Sequence, residues 1–129
     1  MSESVETVAA FTIELQPAEA VLEGTGRFDF SKVWTGGMTG TSTGLMLSAG
    51  DPASGTAGYV ALELFRGSVD GLEGSVVLQQ FGTMSEEAVL YYEFAPGSGT
   101  GQLAGLVGAV EIDTSGGGHD VRVRYRLTR

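Results

Sequence analysis

Strand-like segments separated by turn residues fill most of this chain, and they constrain its fold more than any other feature. The four clearest are residues 58–66 (GYVALELFR), 75–82 (SVVLQQFG), 88–95 (AVLYYEFA) and 120–128 (DVRVRYRLT), with weaker candidates at residues 8–15, 26–35, 42–49 and 106–113. Each clear segment combines β-branched or aromatic residues with turn residues at its ends. Eight strands at this regular spacing are typical of an all-β sandwich or a closed barrel.

The connections between these segments are short, as in Val69-Asp70-Gly71-Leu72. A parallel return needs a crossover of about a dozen residues or more, so short connections make neighbouring strands antiparallel. We therefore predict an antiparallel meander that forms one domain over residues 1–129. Residues 17–24 (PAEAVLEG) are the best helix candidate, and they are equally compatible with a bulged strand or a loop.

The composition excludes several classes of function. The chain has no cysteine and one histidine, which excludes thiolate and multi-histidine metal sites, and we expect no cofactor. Its formal net charge of −9 disfavours contact with nucleic-acid phosphates. No apolar run approaches the ~20 residues of a membrane-spanning helix, and the acidic N-terminus differs from a secretory signal. We expect a soluble cytoplasmic protein that binds neither nucleic acid nor membranes.

The hairpin at Asp70 and Gly71 predicts which side chains share a face. If that turn pairs Phe65 with Val76, and the next turn pairs Val76 with Phe94, directly opposed residues lie on one face. That face carries Tyr59, Glu63, Phe65, Val76, Leu78, Gln80, Leu90, Tyr92 and Phe94. A large aromatic face with one acid and one amide suits a ligand cavity in a barrel of about eight strands. We therefore predict that it faces inward.

The last strand candidate alternates arginines with apolar residues, so Tyr125 is predicted to face inward while the arginines face water. His119, just before it, then points inward near one mouth of the fold. It follows three glycines at residues 116–118. There it is a candidate acid or base, and the structural alternative is a turn residue that bonds the backbone.

The opposite face of the middle strands is too apolar for a wall exposed to water. It carries Val60, Leu62, Leu64, Val77, Phe81, Val89 and Tyr91. The segment around Val21 and Leu22 is one candidate cover. A larger exposed patch usually marks an interface, so we expect the chain to form a homo-oligomer.

Glu63 is the inward residue best suited to chemistry. A carboxyl desolvated among aromatic and aliphatic side chains is a usable general acid or base, whereas the structural alternative is a carboxylate hydrogen-bonded to a neighbour. Gln80 either orients a substrate carbonyl or bonds Glu63. Tyr59, Tyr92 and Tyr125 are wall residues whose hydroxyls can hold a ligand oxygen.

Residues 99–104 (GTGQLA) satisfy the dinucleotide-binding pattern G-x-G-x-x-G/A as a string. That pattern binds pyrophosphate only where a parallel strand turns into a helix, and neither is predicted here. We interpret the segment as a tight glycine turn held by the hydroxyls of Ser98 and Thr100.

Four longer stretches carry a family resemblance: residues 30–49 (FSKVWTGGMTGTSTGLMLSA), 58–83 (GYVALELFRGSVDGLEGSVVLQQFGT), 96–108 (PGSGTGQLAGLVG) and 119–127 (HDVRVRYRL). Together they resemble the small bacterial proteins with the allene oxide cyclase barrel-like fold, a family of unknown function. The resemblance implies an eight-stranded antiparallel β-barrel with a central cavity and frequent oligomerisation. At Gln79-Gln80-Phe81-Gly82 this chain has glutamine where that family often has histidine, which disfavours histidine-based proton transfer there.

The resemblance and the inner face together predict a cofactor-independent isomerase or cyclase that acts on a small hydrophobic metabolite, as in natural product biosynthesis. Holding a flexible substrate in a reactive conformer can supply ~7–11 kcal/mol, so few charged residues are needed. The predicted catalytic residues are Glu63 and His119, and the predicted substrate-binding residues are Tyr59, Phe65, Leu78, Gln80, Leu90, Tyr92, Phe94 and Tyr125. The alternatives are a carrier barrel without chemistry and a structural oligomer whose barrel is filled by its own side chains.

Overall fold

The computed structural model describes residues 3–113 and 119–128, in which eight antiparallel strands form a closed barrel. The strands are β1 (Val5–Ala18), β2 (Gly26–Gly36), β3 (Met38–Asp51), β4 (Thr56–Val69), β5 (Leu72–Met84), β6 (Val89–Phe94), β7 (Leu106–Asp113) and β8 (Asp120–Leu127). Each strand pairs with the next one along the chain, and β1 pairs with β8 to close the barrel. The predicted all-β class and the antiparallel barrel are therefore confirmed, and the sandwich is excluded.

All eight predicted strands are present, and several are longer than predicted. Polar and glycine residues that mark a strand end in the sequence lie inside β3 and β4. Gly40 and Gly67 are paired with each other at φ values of 150° and 157°. A Cβ on either one would overlap the backbone of the opposite strand, so both strands continue there only because these residues are glycines. Residues 17–24 form the end of β1 and a loop rather than a helix.

The strand registers confirm one predicted hairpin and correct another. β4 and β5 pair Phe65 with Val76 and Glu63 with Leu78, as predicted. Between β5 and β6, Phe94 pairs with Leu78 and not with Val76. A shift of two residues leaves every side chain on its predicted face, because side chains alternate with a period of two.

The inward side chains fill the lumen. Trp34, Phe65, Phe94, Leu78 and Val76 are each no more than 1% exposed. They belong to one continuous cluster with residues from every strand of the barrel. Around these five residues, the inner face of the barrel is a packed core in which the aromatic side chains interdigitate.

The loop between β6 and β7 closes the barrel end that also holds the β4–β5 turn. Leu103, in a short 3₁₀ turn (Gly101–Leu103), is fully buried in the core cluster. The Ser98 hydroxyl donates to the carbonyl of Ala95 at 2.7 Å, and the Thr100 hydroxyl accepts from the backbone of Ser75 at 3.1 Å. The predicted glycine turn held by these two hydroxyls is therefore confirmed.

Within residues 3–113 and 119–128, no helix has the length and hydropathy that crossing a membrane takes.

Candidate functional site

Glu63 lies inside the barrel, as predicted, and it shares the interior with a lysine. Lys32 Nζ is 2.9 Å from Glu63 Oε1 and 2.8 Å from the Tyr92 hydroxyl. The Tyr92 hydroxyl also donates to Glu63 Oε1 at 2.5 Å. The Lys32 and Glu63 side chains are 4% and 2% exposed. These three residues, the buried triad, add a cation to an interior for which the sequence predicted one acid and one amide.

The sequence brings the triad together by alternation on three strands. On β2, Lys32 has the same parity as Phe30 and Trp34, so it points inward with them. β3 separates β2 from β4, and at that height it contributes Gly44, which pairs with both Phe30 and Glu63. A Cβ on Gly44 would press against the Phe30 ring and the Glu63 side chain. The missing side chain thus makes room for the ion pair.

Burial sets the electrostatics of the triad. Burial lowers the pKa of Lys32, and the charge of Glu63 opposes that shift. Burial, together with the Glu63 carboxylate, raises the pKa of Tyr92 far above its ordinary value, so its hydroxyl stays protonated. The ring centroids of Phe11 and Tyr92 lie 4.2 and 4.9 Å from Lys32 Nζ, which adds cation–π stabilisation to the ammonium.

The triad leaves one buried acceptor without a hydrogen-bond partner in the described part of the chain. Glu63 Oε1 accepts from both other members, whereas Glu63 Oε2 has no hydrogen-bond partner among the described residues. The contacts of Oε1 match the structural alternative for Glu63, a carboxylate hydrogen-bonded to its neighbours, whereas Oε2 is left unsatisfied by them. Among the described residues, no three acidic or histidine side chains cluster as metal ligands do.

The other predicted site residues fall into two groups. Phe65, Leu78 and Phe94 are buried in the core, as the face prediction required. Gln80 donates to the Tyr59 hydroxyl at 2.6 Å and forms no hydrogen bond with Glu63 among the described residues, so it lies one layer further out than predicted. Leu90 has inward parity, but it is 47% exposed because it lies at the rim of the barrel.

His119 lies at the mouth of the barrel end opposite the β6–β7 loop, and it is exposed. Its ring stacks on that of Phe11 at a centroid distance of 4.8 Å, and its carbonyl oxygen accepts a hydrogen bond from Phe11 N. Residues 116–118, the glycines before it, lie outside the described residues. The structure therefore does not bring His119 to the triad, although Phe11 contacts both.

The weakest joint of the barrel lies between β6 and β7. These strands share one register pair, Glu93 with Ala109, whereas β7 and β8 pair over the whole length of β7. A cleft of about 710 Å³ follows this seam. Four of the predicted substrate-binding residues line it: Leu90, Tyr92, Phe94 and Tyr125. Tyr92 and Phe94 are almost fully buried, so they form the floor of the cleft.

One wall of the cleft concentrates positive charge on an acidic protein. Arg122, Arg124 and Arg126 line it, and they are three of the seven basic residues in the chain. Arg122 and Arg124 each approach Glu6 at 3.4 Å. Arg126 is exposed and forms no ion pair within the part of the chain that the structure describes. The seam thus joins an aromatic floor to an available guanidinium.

Sequence reasoning missed Lys32 and the seam. The signal for Lys32 was present in its parity with Phe28, Phe30 and Trp34, since a lysine on an aromatic strand face needs a buried partner. The signal for the seam was weaker. The loop between β6 and β7 is longer than the hairpin turns that join other neighbouring strands. Its length was the sign that these two strands are separated and do not form a tight hairpin.

Fold and site together define a closed eight-stranded antiparallel barrel with an ion pair buried in its lumen and an open seam in its wall. A family model described as "Protein of unknown function (DUF3224)" matches residues 7–127, and the chain belongs to that family. The predicted membership of a family of unknown function is thereby confirmed, whereas no match connects the chain to allene oxide cyclases. The name of the family assigns no activity, and no curated protein matches the chain.

A solved structure gives the same fold. A DUF3224 protein of unknown function from Shewanella oneidensis MR-1 matches with a TM-score of 0.90 and 35% sequence identity. The match covers 98% of this chain and 100% of the other. The barrel is therefore similar to that of a family member whose length is fully matched.

Proposed function

We propose that this protein binds a small amphipathic acid in the cleft along the β6–β7 seam. The observation that carries the proposal is the composition of the cleft, which joins an aromatic floor to three arginines and two glutamates, with Arg126 left without an ion pair among the described residues. An apolar body over the floor removes hydrocarbon from water, while a carboxylate receives charge-assisted hydrogen bonds from Arg126. A cleft of about 710 Å³ falls within the range of small-molecule sites.

This proposal keeps the predicted hydrophobic ligand and moves it from the lumen to the seam. The centre of the lumen is occupied by fully buried side chains such as Trp34 and Phe65. The seam offers backbone groups of β6 and β7 that are not paired with each other in the register, since only Glu93 and Ala109 are partners. Such groups can also bind polar atoms of a ligand.

Titration with decanoate, followed by amide chemical shifts, tests the proposal. We expect shifts confined to β6, β7 and β8 and a Kd in the range of about 1–100 µM. Arg126→Gln should weaken decanoate binding about tenfold while leaving the binding of decanol unchanged, because only the acid uses the guanidinium. Arg66→Gln is the matched control, since Arg66 is an exposed arginine outside the cleft. Equal decanoate affinity in Arg126→Gln and Arg66→Gln would contradict the proposal.

A second candidate function is a cofactor-independent isomerisation or cyclisation of the bound molecule, the reaction class expected from the resemblance to proteins with the allene oxide cyclase barrel-like fold. The observation in its favour is the position of Tyr92. Its ring lines the cleft, and its hydroxyl touches both Glu63 and Lys32. Tyr92 therefore connects the ligand cleft to a buried acid and base.

Native mass spectrometry of freshly purified protein would identify a retained molecule, whose conversion can then be followed by chromatography. For an acid–base reaction through the triad, Tyr92→Phe should lower kcat at least about tenfold without weakening binding to the same extent. His119→Gln tests the predicted residue at the mouth in the same assay. Unchanged turnover in Tyr92→Phe and in Glu63→Gln would leave the protein as a carrier.

A further inference from the structure

The outer face of β3 to β6 exposes a continuous apolar surface. We define the outer apolar face by Leu45, Leu47, Val60, Leu62, Phe81 and Tyr91, which face outward on four adjacent strands. Leu62 and Tyr91 are 54% and 59% exposed. Val21 and Leu22, the predicted cover, are themselves exposed and border this face beside Val60 and Phe81. The rest of the face remains in contact with solvent.

We propose that this face is the interface of a two-fold symmetric homodimer. The exposed apolar side chains are Leu45, Val60, Leu62, Phe81 and Tyr91 on the face itself, and Val21, Leu22 and Val89 at its border. Together they present roughly 800 Å² of accessible surface, which is what one partner contributes to an interface of standard size. Patches of this size are rarely left exposed on a monomer.

The shape of the face suits a copy of itself. Two grooves of about 390 and 490 Å³ lie side by side on it, and Phe81 lines both. The centroids of the Phe81 and Tyr91 rings are 6.3 Å apart. These two rings form a ridge that extends from Phe81, between the two grooves, to Tyr91 on β6. A two-fold axis would place the ridge of each copy in a groove of the other, so that every contact occurs twice.

The charge distribution favours the same partner. The chain carries a net charge of −9, so two copies repel each other through most of their surfaces. Among the residues that line the two grooves, Glu93 is the one charged side chain. The outer apolar face is therefore a place where two copies can approach with little like-charge repulsion.

Sedimentation equilibrium at 10–100 µM, roughly the range in which such interfaces assemble, tests this inference. We expect the wild type to have twice the chain mass of 13.4 kDa. Leu62→Glu should raise the dissociation constant of the dimer about 100-fold or more, because it buries two unpaired carboxylates in one apolar interface. Phe81→Glu should act in the same way through the ridge.

Val33→Glu is the matched control, since Val33 is also 54% exposed and faces outward on β2, away from the grooves. It should leave the dimer intact. Far-UV circular dichroism establishes that each variant is folded. A wild-type mass of 13.4 kDa, an assembly of more than two copies, or a dimer unaffected by both Leu62→Glu and Phe81→Glu would overturn the proposal. Neither Leu62 nor Phe81 lines the β6–β7 cleft, so decanoate binding reports on the proposed function separately.

Discussion

At the scale of single residues, Lys32 changes the role of Glu63 from an isolated buried acid to one partner of an ion pair. The face prediction placed Glu63 correctly because the Asp70-Gly71 turn fixes the register of β4 and β5. It did not provide the counter-ion, because β2 was predicted as a strand without an assigned inward face. Once the parity of β2 is known, an inward lysine and an inward glutamate within one barrel must pair, since neither charge is tolerated alone.

Replacing Lys32 should therefore destabilise the fold strongly. Lys32→Met leaves Glu63 charged and buried without its cation, and we expect a loss of about 3–5 kcal/mol in the free energy of unfolding. Urea denaturation monitored by Trp34 fluorescence measures the loss. A loss below about 1 kcal/mol would mean that water reaches Glu63 in the folded protein.

The double variant Lys32→Met/Glu63→Met measures how strongly the two buried charges stabilise each other. Apolar replacement of both partners of a buried pair is often neutral or stabilising. We expect the double variant to be more stable than Lys32→Met, with the same denaturation experiment as the measurement. Additive losses in the double-mutant cycle would argue against direct coupling between the two charges.

At the scale of strands and loops, turn length decided which registers could be predicted. The two-residue turn after β4 has Asp70 and Gly71 at positive φ values of 47° and 83°, a conformation that allows one register. The turn after β5 spans residues 85–88, and a loop of that length fits more than one pairing. The longest loop, between β6 and β7, gives no register information, which is why the seam was not predicted.

The same loop contains a glycine that cannot be replaced without cost. A Cβ on Gly99 would overlap the carbonyl group of Leu103, so Gly99→Ala must displace the 3₁₀ turn that closes the barrel end. We expect a loss of about 2–4 kcal/mol in thermal or chemical denaturation. Gly97→Ala is the control, because Gly97 has open space around it and only its φ of +82° opposes a side chain. That variant should lose about 1 kcal/mol.

The seam should be visible in hydrogen exchange. With one register pair between them, β6 and β7 have fewer shared hydrogen bonds than any other neighbouring strands in the barrel. We expect the amides of β6 on its β7 side to exchange at least about tenfold faster than those of β4 and β5. Uniform protection around the barrel would show that the seam is as tightly closed as the other strand pairs.

At the scale of the whole molecule, one turn ties distant strands together. Asp70 accepts hydrogen bonds from the Thr7 hydroxyl of β1 at 2.8 Å and from the Tyr125 hydroxyl of β8 at 2.6 Å. Its backbone N–H donates to the carbonyl of Gly37 in the β2–β3 turn at 2.7 Å. The β4–β5 turn therefore links the first and last strands across the end of the barrel, where the sheet closes.

This link should make the stability depend on alkaline pH. Burial, with the hydrogen bond to Asp70 and its charge, raises the pKa of Tyr125 to about 12, compared with 10.0 for an ordinary tyrosine. The folded state therefore keeps a proton that the unfolded state releases, so the stabilisation is complete below pH 10 and is lost as the pH rises to about 12. We expect the stability difference between wild type and Tyr125→Phe to shrink over that interval in urea denaturation. The lowered pKa of Lys32 acts in the opposite direction but is common to both proteins. A difference that stays constant with pH would contradict this account.

The single register pair between β6 and β7 has a geometric consequence for the proposed ligand. If the seam binds a ligand as proposed, that ligand would approach from the side of the barrel, between β6 and β7, because Leu103 closes one end and buried side chains fill the middle. A narrow seam of this kind would select ligands by their thickness and not by their overall diameter. We would then expect thin, elongated ligands to bind in preference to globular ones of equal volume.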